Sequence, residues 1–289
     1  MNEIIQYTVQ GLAAGSFYAL AALGLGIIFG VLGVVNFAHG ACYMLGAVVA
    51  ALLQGEMGLG FFPALVVVPL IMFVVGVLLE RFLVRWLVAL DPLYNFLLTY
   101  GLSLVLVDLV KLRYGVSGLP YRRPEILTGQ VALGPVHLPT YQLFVFVFSV
   151  GVCGSVWLLL TRTRIGMIVR ASTERPELTR ALGVDVGRWV APVFGFGIAL
   201  AGVAGVLAAP FRAITADMGS NFVIILFAVV VIGGLGSILG AVVAGFLVGL
   251  VEAFGQAYAP SFAQVAIFVL MALVILVKPS GLLGREVAR

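Results

Sequence analysis

No Asp, Glu, Lys or Arg occurs between Glu3 and Glu56. A run of that length without charge cannot cover a water-facing surface. It needs lipid, or burial in other apolar segments, on every side. The rest of the chain agrees. Of the 289 residues, 63% are hydrophobic and 10% charged, and the mean hydropathy is +1.21. A soluble domain carries about 25% charged residues. The sequence therefore predicts an all-α, polytopic helical membrane protein.

A spanning helix needs roughly 20 mostly apolar residues. Nine segments meet that description: 4–30, 34–54, 61–79, 93–110, 141–160, 190–211, 219–234, 237–257 and 262–277. The seventh is short, and the first two can be read as broken or re-entrant around Gly30 to Gly40, so eight to ten crossings are expected. No basic residue precedes the first run, so it reads as a retained span and not a signal peptide. The expectation is one transmembrane domain over 1–289, with an external loop at 111–140 and an internal loop at 161–189.

Charge orients the segments. Arg81, Arg85, Arg162, Arg164, Arg170, Arg175, Arg180, Arg188, Lys278, Arg285 and Arg289 fall on one side. Lys111, Arg113, Arg122, Arg123 and Arg212 fall on the other. The positive-inside rule puts the first set in the cytoplasm and, with nine spans, the N-terminus outside. The sequence pI near 9.3 fits these Arg-rich loops, and no basic, aromatic-interleaved domain exists to hold nucleic acid.

Polar residues inside apolar runs are the candidates for function, because they are costly at membrane depth and usually face protein or a water-filled path. Asn36-Phe37-Ala38-His39-Gly40 joins the first two segments. Gly233-Gly234-Leu235-Gly236-Ser237 joins the seventh and eighth. Both follow one apolar segment and precede another, which suggests broken helices meeting near the midplane, as in repeat-built transporters. Glu252 lies in the eighth segment, four residues before Gln256, and is expected inside the bundle near the outer surface. Asn36, His39, Gly233, Gly234, Ser237 and Glu252 are thus candidates for the translocation path or for helix packing. Asp108 is expected to pair with Lys111 at i,i+3 spacing. Cys42 and Cys153 have no metal or disulfide spacing and read as buried small hydrophobes.

The external loop is rich in Gly and Pro, and Val131-Ala132-Leu133 within it suits a short strand. In the internal loop, Pro176 and Glu177 suit the first turn of a short helix. Leu178, Ala181 and Leu182 follow on one face, and Gly183 is a natural stop. Such a helix can lie on lipid headgroups or dock a cytoplasmic partner. Neither lysine stands in a Gly-Lys-Ser/Thr context, and there is no Gly-x-Ser-x-Gly elbow or His-Glu-x-x-His pair. The chain therefore has no ATPase, hydrolase or zinc-protease signature of its own. An ion-driven secondary transporter would want carboxylates or histidines at mid-membrane in both halves. Only His39 and Glu252 offer themselves.

Several stretches carry a resemblance. They are Gly15-Ser16-Phe17-Tyr18-Ala19-Leu20, Val35-Asn36-Phe37-Ala38-His39-Gly40, Arg164-Ile165-Gly166-Met167, Ala181-Leu182-Gly183-Val184, Gly202-Val203-Ala204-Gly205-Val206-Leu207 and Val231 to Gly240. The tail Lys278-Pro279-Ser280-Gly281-Leu282-Leu283-Gly284-Arg285 completes them. Over nearly its whole length the chain resembles the permease subunits of bacterial branched-chain amino acid ABC importers, the shorter of the two paired permeases. Ala41 stands where such permeases often have Glu. Urea and short-chain amide importers use closely similar permeases.

The resemblance implies a bacterial inner-membrane location and import of leucine, isoleucine and valine by alternating access. It implies a homologous second permease, two cytoplasmic ATP-binding subunits that hold ATP and Mg, and an extracytoplasmic substrate-binding protein, with no cofactor in this chain. It also implies that Arg170, Glu174, Glu177, Leu178, Ala181, Leu182 and Gly183 belong to the helix that couples to the ATPases.

Overall fold

The computed structural model describes residues 2–33, 35–87, 90–133, 136–174 and 176–284. The apolar runs become helices: α1 (Asn2–Leu32), α2 (His39–Met57), α3 (Phe61–Phe82), α4 (Pro92–Tyr114) and α5 (Thr140–Arg162). Two short helices follow, α6 (Arg164–Glu174) and α7 (Pro176–Ala181). Then come α8 (Val186–Ala208), α9 (Met218–Gly233), α10 (Ile238–Tyr258) and α11 (Ala263–Val277). Local chemistry sets several ends. Asp91 caps α4, with Pro92 at its first position, and Asp185 caps α8 by accepting from Gly187 N–H at 3.1 Å. Each cap satisfies an N–H that has no partner inside its helix.

Eight of the described helical stretches are long and apolar enough to cross a membrane. The seventh predicted segment is α9, whose 16 residues reach only about 24 Å at 1.5 Å per residue. A full hydrocarbon core is about 30 Å thick. The predicted strand exists as β1 (Gln130–Leu133), paired antiparallel with β2 (Val136–Pro139).

The helices pack around α1 and α8, whose most apolar windows are each 78% buried. By contrast, α11 is 11% buried, and α3 turns Val66, Leu70, Val74 and Leu78 outward. Apolar attraction alone cannot hold helices together in lipid, so close backbone approach does much of the work. The α1–α10 seam shows this: a side chain on Gly15 would meet Phe246 Cα at 2.8 Å.

On the face opposite the Arg-rich loops, the long connector is clamped to the α8–α9 connector. Leu119 N–H donates to Ile214 O at 2.9 Å, and Arg123 Nε to Pro210 O at 2.9 Å. Gln54 exchanges two hydrogen bonds with the Arg122 backbone. Lys111 pairs with Asp217 at 2.8 Å, where the sequence suggested Asp108. The loop folds Asp217 back over the end of α4, and that carboxylate reaches the ammonium first.

Candidate functional site

Asn36 to His39 forms a break in the helical path at membrane depth. His39 Nε2 lies 3.0 Å from Ala21 O. A carbonyl only accepts, so the ring carries its proton on Nε2. Ala21 is about 27 Å along α1 from Glu3 and about 16 Å from Leu32. The chain therefore leaves α1 at Leu32 and begins α2 at His39 beside the middle of α1. Non-helical backbone at this depth needs internal partners, and the local side chains supply them. Asn36 Oδ1 accepts from Ala38 N–H at 3.0 Å. Thr99 Oγ1 on α4 accepts from Phe37 N–H at 3.3 Å and donates to Asn95 O at 2.9 Å. Phe37 sits edge-on to Phe96, centroids 4.8 Å apart. Asn36 Nδ2 and His39 Nδ1 are buried with no hydrogen-bond partner among the described residues.

Gly233 to Ser237 lies elsewhere. It is a tight turn from α9 into α10, beside Gly30 at the far end of α1. Ser237 Oγ caps α10 by accepting from Gly240 N–H at 3.1 Å. The C-terminal segment docks on the turn: Leu282 N–H donates to Ile232 O at 2.8 Å and Leu283 N–H to Gly233 O at 3.1 Å. The two glycine-bearing stretches therefore do not meet at mid-depth, as the repeat reading expected. Only the first is at the level of Ala21. The second turns at the Arg-rich end because α9 runs on to that end before reversing.

Glu252 is 8% exposed. Its Oε2 accepts from Tyr18 Oη at 2.7 Å. Its Oε1 accepts from Gln256 Nε2 at 3.2 Å and faces Arg212 Nη2 at 3.5 Å. Tyr18 stacks on Phe222, which stacks on Tyr43. Partial burial works against the Arg212 charge, and the Glu252 carboxylate beside it holds the guanidinium above the usual arginine range. Sequence reasoning found Glu252 and, of its three partners, missed Tyr18 and Arg212. Arg212 carried one signal, being the sole basic residue of the α8–α9 connector. Tyr18 carried none, since an aromatic in an apolar run reads as core.

On the Arg-rich face, the predicted single short helix is two, α6 and α7. Arg170 Nη2 donates to Thr161 O at 3.4 Å and so ties α6 to the end of α5. On α7, Thr179 is buried at 5% while Leu178 is 54% exposed, and Leu182, just past its end, is 83% exposed. Ala181 and Gly183 are exposed as well. Gly183 takes φ +81° at the predicted stop. Arg175 and the side chains of Glu174 and Glu177 lie outside the described residues.

A family model described as the permease component of branched-chain amino acid transport systems matches residues 7–278. The chain belongs to this family. It is 33% identical to the high-affinity branched-chain amino acid transport system permease protein BraD of Pseudomonas aeruginosa, over 99% of this chain and 98% of that one. It is 31% identical to the corresponding protein LivH of Escherichia coli, again over 99% and 98%. A probable branched-chain amino acid transport permease of Methanocaldococcus jannaschii is 29% identical over 92% and 88%. The chain is a multi-pass membrane permease, and its relatives are named as permease proteins of branched-chain amino acid transport. The described residues hold no cluster of His, Cys, Asp and Glu able to bind a metal. What they offer is a helix break beside Ala21, a buried charge network whose Tyr18 lies about one turn of α1 (about 4.5 Å) from that break, and an apolar pair exposed on the Arg-rich face.

Proposed function

We propose that this permease is the membrane-spanning subunit of an ATP-driven importer that carries leucine, isoleucine and valine inward across the bacterial inner membrane. The observation that carries the reading is the exposed pair Leu178 and Leu182 on the Arg-rich face, in a chain of this family. Large apolar side chains exposed on a short element between two spans favour a protein partner. The Arg-rich face is cytoplasmic by the positive-inside rule, so the partner is cytoplasmic. The partners are two ATP-binding subunits, which hold ATP and Mg, together with a second, homologous permease and an extracytoplasmic binding protein.

In this reading the chain does no covalent chemistry. The ATPases bind the α6–α7 segment, and their nucleotide state shifts the bundle between outward-open and inward-open forms, a population shift set by differential binding. The tie from Arg170 to the end of α5 is one route by which motion of α6 reaches a spanning helix. Leu178→Asp with Leu182→Asp should abolish ATP-driven leucine uptake in proteoliposomes while the permease still assembles in the membrane. Both side chains are exposed, so their loss costs the bundle little. Normal uptake by the double variant would refute the docking role. Uptake that survives ATP depletion and collapses with a proton uncoupler would instead favour an ion-driven carrier.

A further inference from the structure

A cavity of about 390 Å³ opens on the face opposite the Arg-rich loops, between α1, α5, α10 and the α8–α9 connector. Its polar lining is Gln10, Gln142, Arg212, Glu252 and Gln256. The exposed Gln10, Arg212 and Gln256 stand at its mouth, and the buried Glu252 and Gln142 lie deeper. The remaining wall is apolar: Phe17, Phe211 and two alanines. The volume falls in the range of small-molecule sites, roughly 300–1,000 Å³.

Three features separate this cavity from a packing defect. First, one acid and one base face each other across its wall at 3.5 Å, a loose contact compared with the about 2.7–2.9 Å of a well-formed charged hydrogen bond. Second, Arg212 keeps 41% of its side chain exposed, so the guanidinium has donors to spare. Third, Gln142 is only 7% exposed, lines the cavity and makes no hydrogen bond among the described residues. Its amide reaches the cavity and not a protein partner, so it is free to pair with whatever fills that space.

We propose that this cavity binds the zwitterionic head of an α-amino acid, its ammonium on Glu252 and its carboxylate on Arg212, with an aliphatic side chain against Phe17 and Phe211. An amino acid carries its two charges on adjacent bonds of a single carbon. Such a head matches an acid and a base set side by side. A simple cation or anion would meet one favourable and one unfavourable charge, and urea, which carries no charge, would engage neither as a charged partner. Gln142, which can donate or accept, completes the cradle. The inference rests on the importer reading. It adds where on the permease the substrate is first held after delivery from outside.

The test uses the complete importer in nanodiscs, with Ala14→Cys placed in the cavity wall and a small water-soluble thiol reagent as reporter. Native Cys42 and Cys153 are buried and add little background. Leucine should slow labelling severalfold, whereas 4-methylpentanoate, which lacks the ammonium, and isoamylamine, which lacks the carboxylate, should not. Glu252→Gln and Arg212→Gln should each remove the protection. Gln142→Ala should weaken it without altering assembly, because that amide supports no other residue. Equal protection by either analogue, protection that survives all three substitutions, or a cysteine that never reacts would each overturn the proposal. Wild-type ATP-driven leucine uptake without protection would remove this inference and leave the importer reading standing. Failure of wild-type uptake would remove the importer reading itself.

Discussion

Gly40→Ala is the most informative single change outside the charged cavity. Gly40 is the second residue of α2, directly after His39, and its backbone lies against that of Gly219 on α9. A Cβ at position 40 would run into the Gly219 carbonyl oxygen and stand 2.7 Å from Val223 Cβ. From the other side, a Cβ at Gly219 would stand 2.8 Å from the Gly40 carbonyl carbon. Carbon atoms pack best at about 3.5–4.0 Å, so α2 and α9 must part by roughly 0.8 Å or more. The nearest obstacle is backbone, which cannot rotate away.

Overpacking of this kind costs about 1–3 kcal/mol, against a helix-propensity gain for alanine of about 0.5–1 kcal/mol. The net expectation is a loss of about 0–2.5 kcal/mol, with His39 displaced from Ala21. Gly101→Ala on α4 is the control, since nothing lies within 4 Å of its added carbon. It should gain about 0.5–1 kcal/mol. Denaturant titration of the purified permease in detergent, followed by circular dichroism, reads both. A Gly40→Ala variant as stable as Gly101→Ala would show that the α2–α9 contact is looser than described, and the argument for a fixed break at mid-depth would fail.

Other consequences are simpler to state. Tyr18→Phe deletes the 2.7 Å hydrogen bond to Glu252 and should destabilise the permease by about 1.5–3 kcal/mol, the worth of a bond to a charged group. The same denaturant titration checks it, and an unchanged midpoint would mean that Arg212 and Gln256 suffice. Gly281→Val should release the C-terminal segment from the α9–α10 turn. Its φ is +79°, and an added carbon would lie 2.8 Å from Val231 O. Faster proteolysis after Val277 is the expected readout.

The sequence by itself determined the material of this protein. A membrane-spanning segment must be apolar over a fixed length, so the eight spanning runs were legible to within a few residues, and the ninth, α9, was legible as an apolar helix too short to span. The start of α7 at Pro176, the stop at Gly183 and the strand at 131–133 were legible too, because turn and cap chemistry is local. Tertiary structure decided which polar residues share a site. Tyr18 and Glu252 are 234 positions apart, and Arg212 sits in a connector whose path depends on how α8 ends against Tyr141, whose hydroxyl donates to Leu207 O at 2.6 Å. Depth was hidden for the same reason: Asn36 to His39 and Gly233 to Ser237 look alike as breaks between apolar runs, yet one doubles back beside Ala21 and the other turns at the end of α1. In lipid, every apolar face resembles every other. Which faces meet is set by close backbone approach at small residues and by a few buried polar contacts, and these form only once the helices are packed.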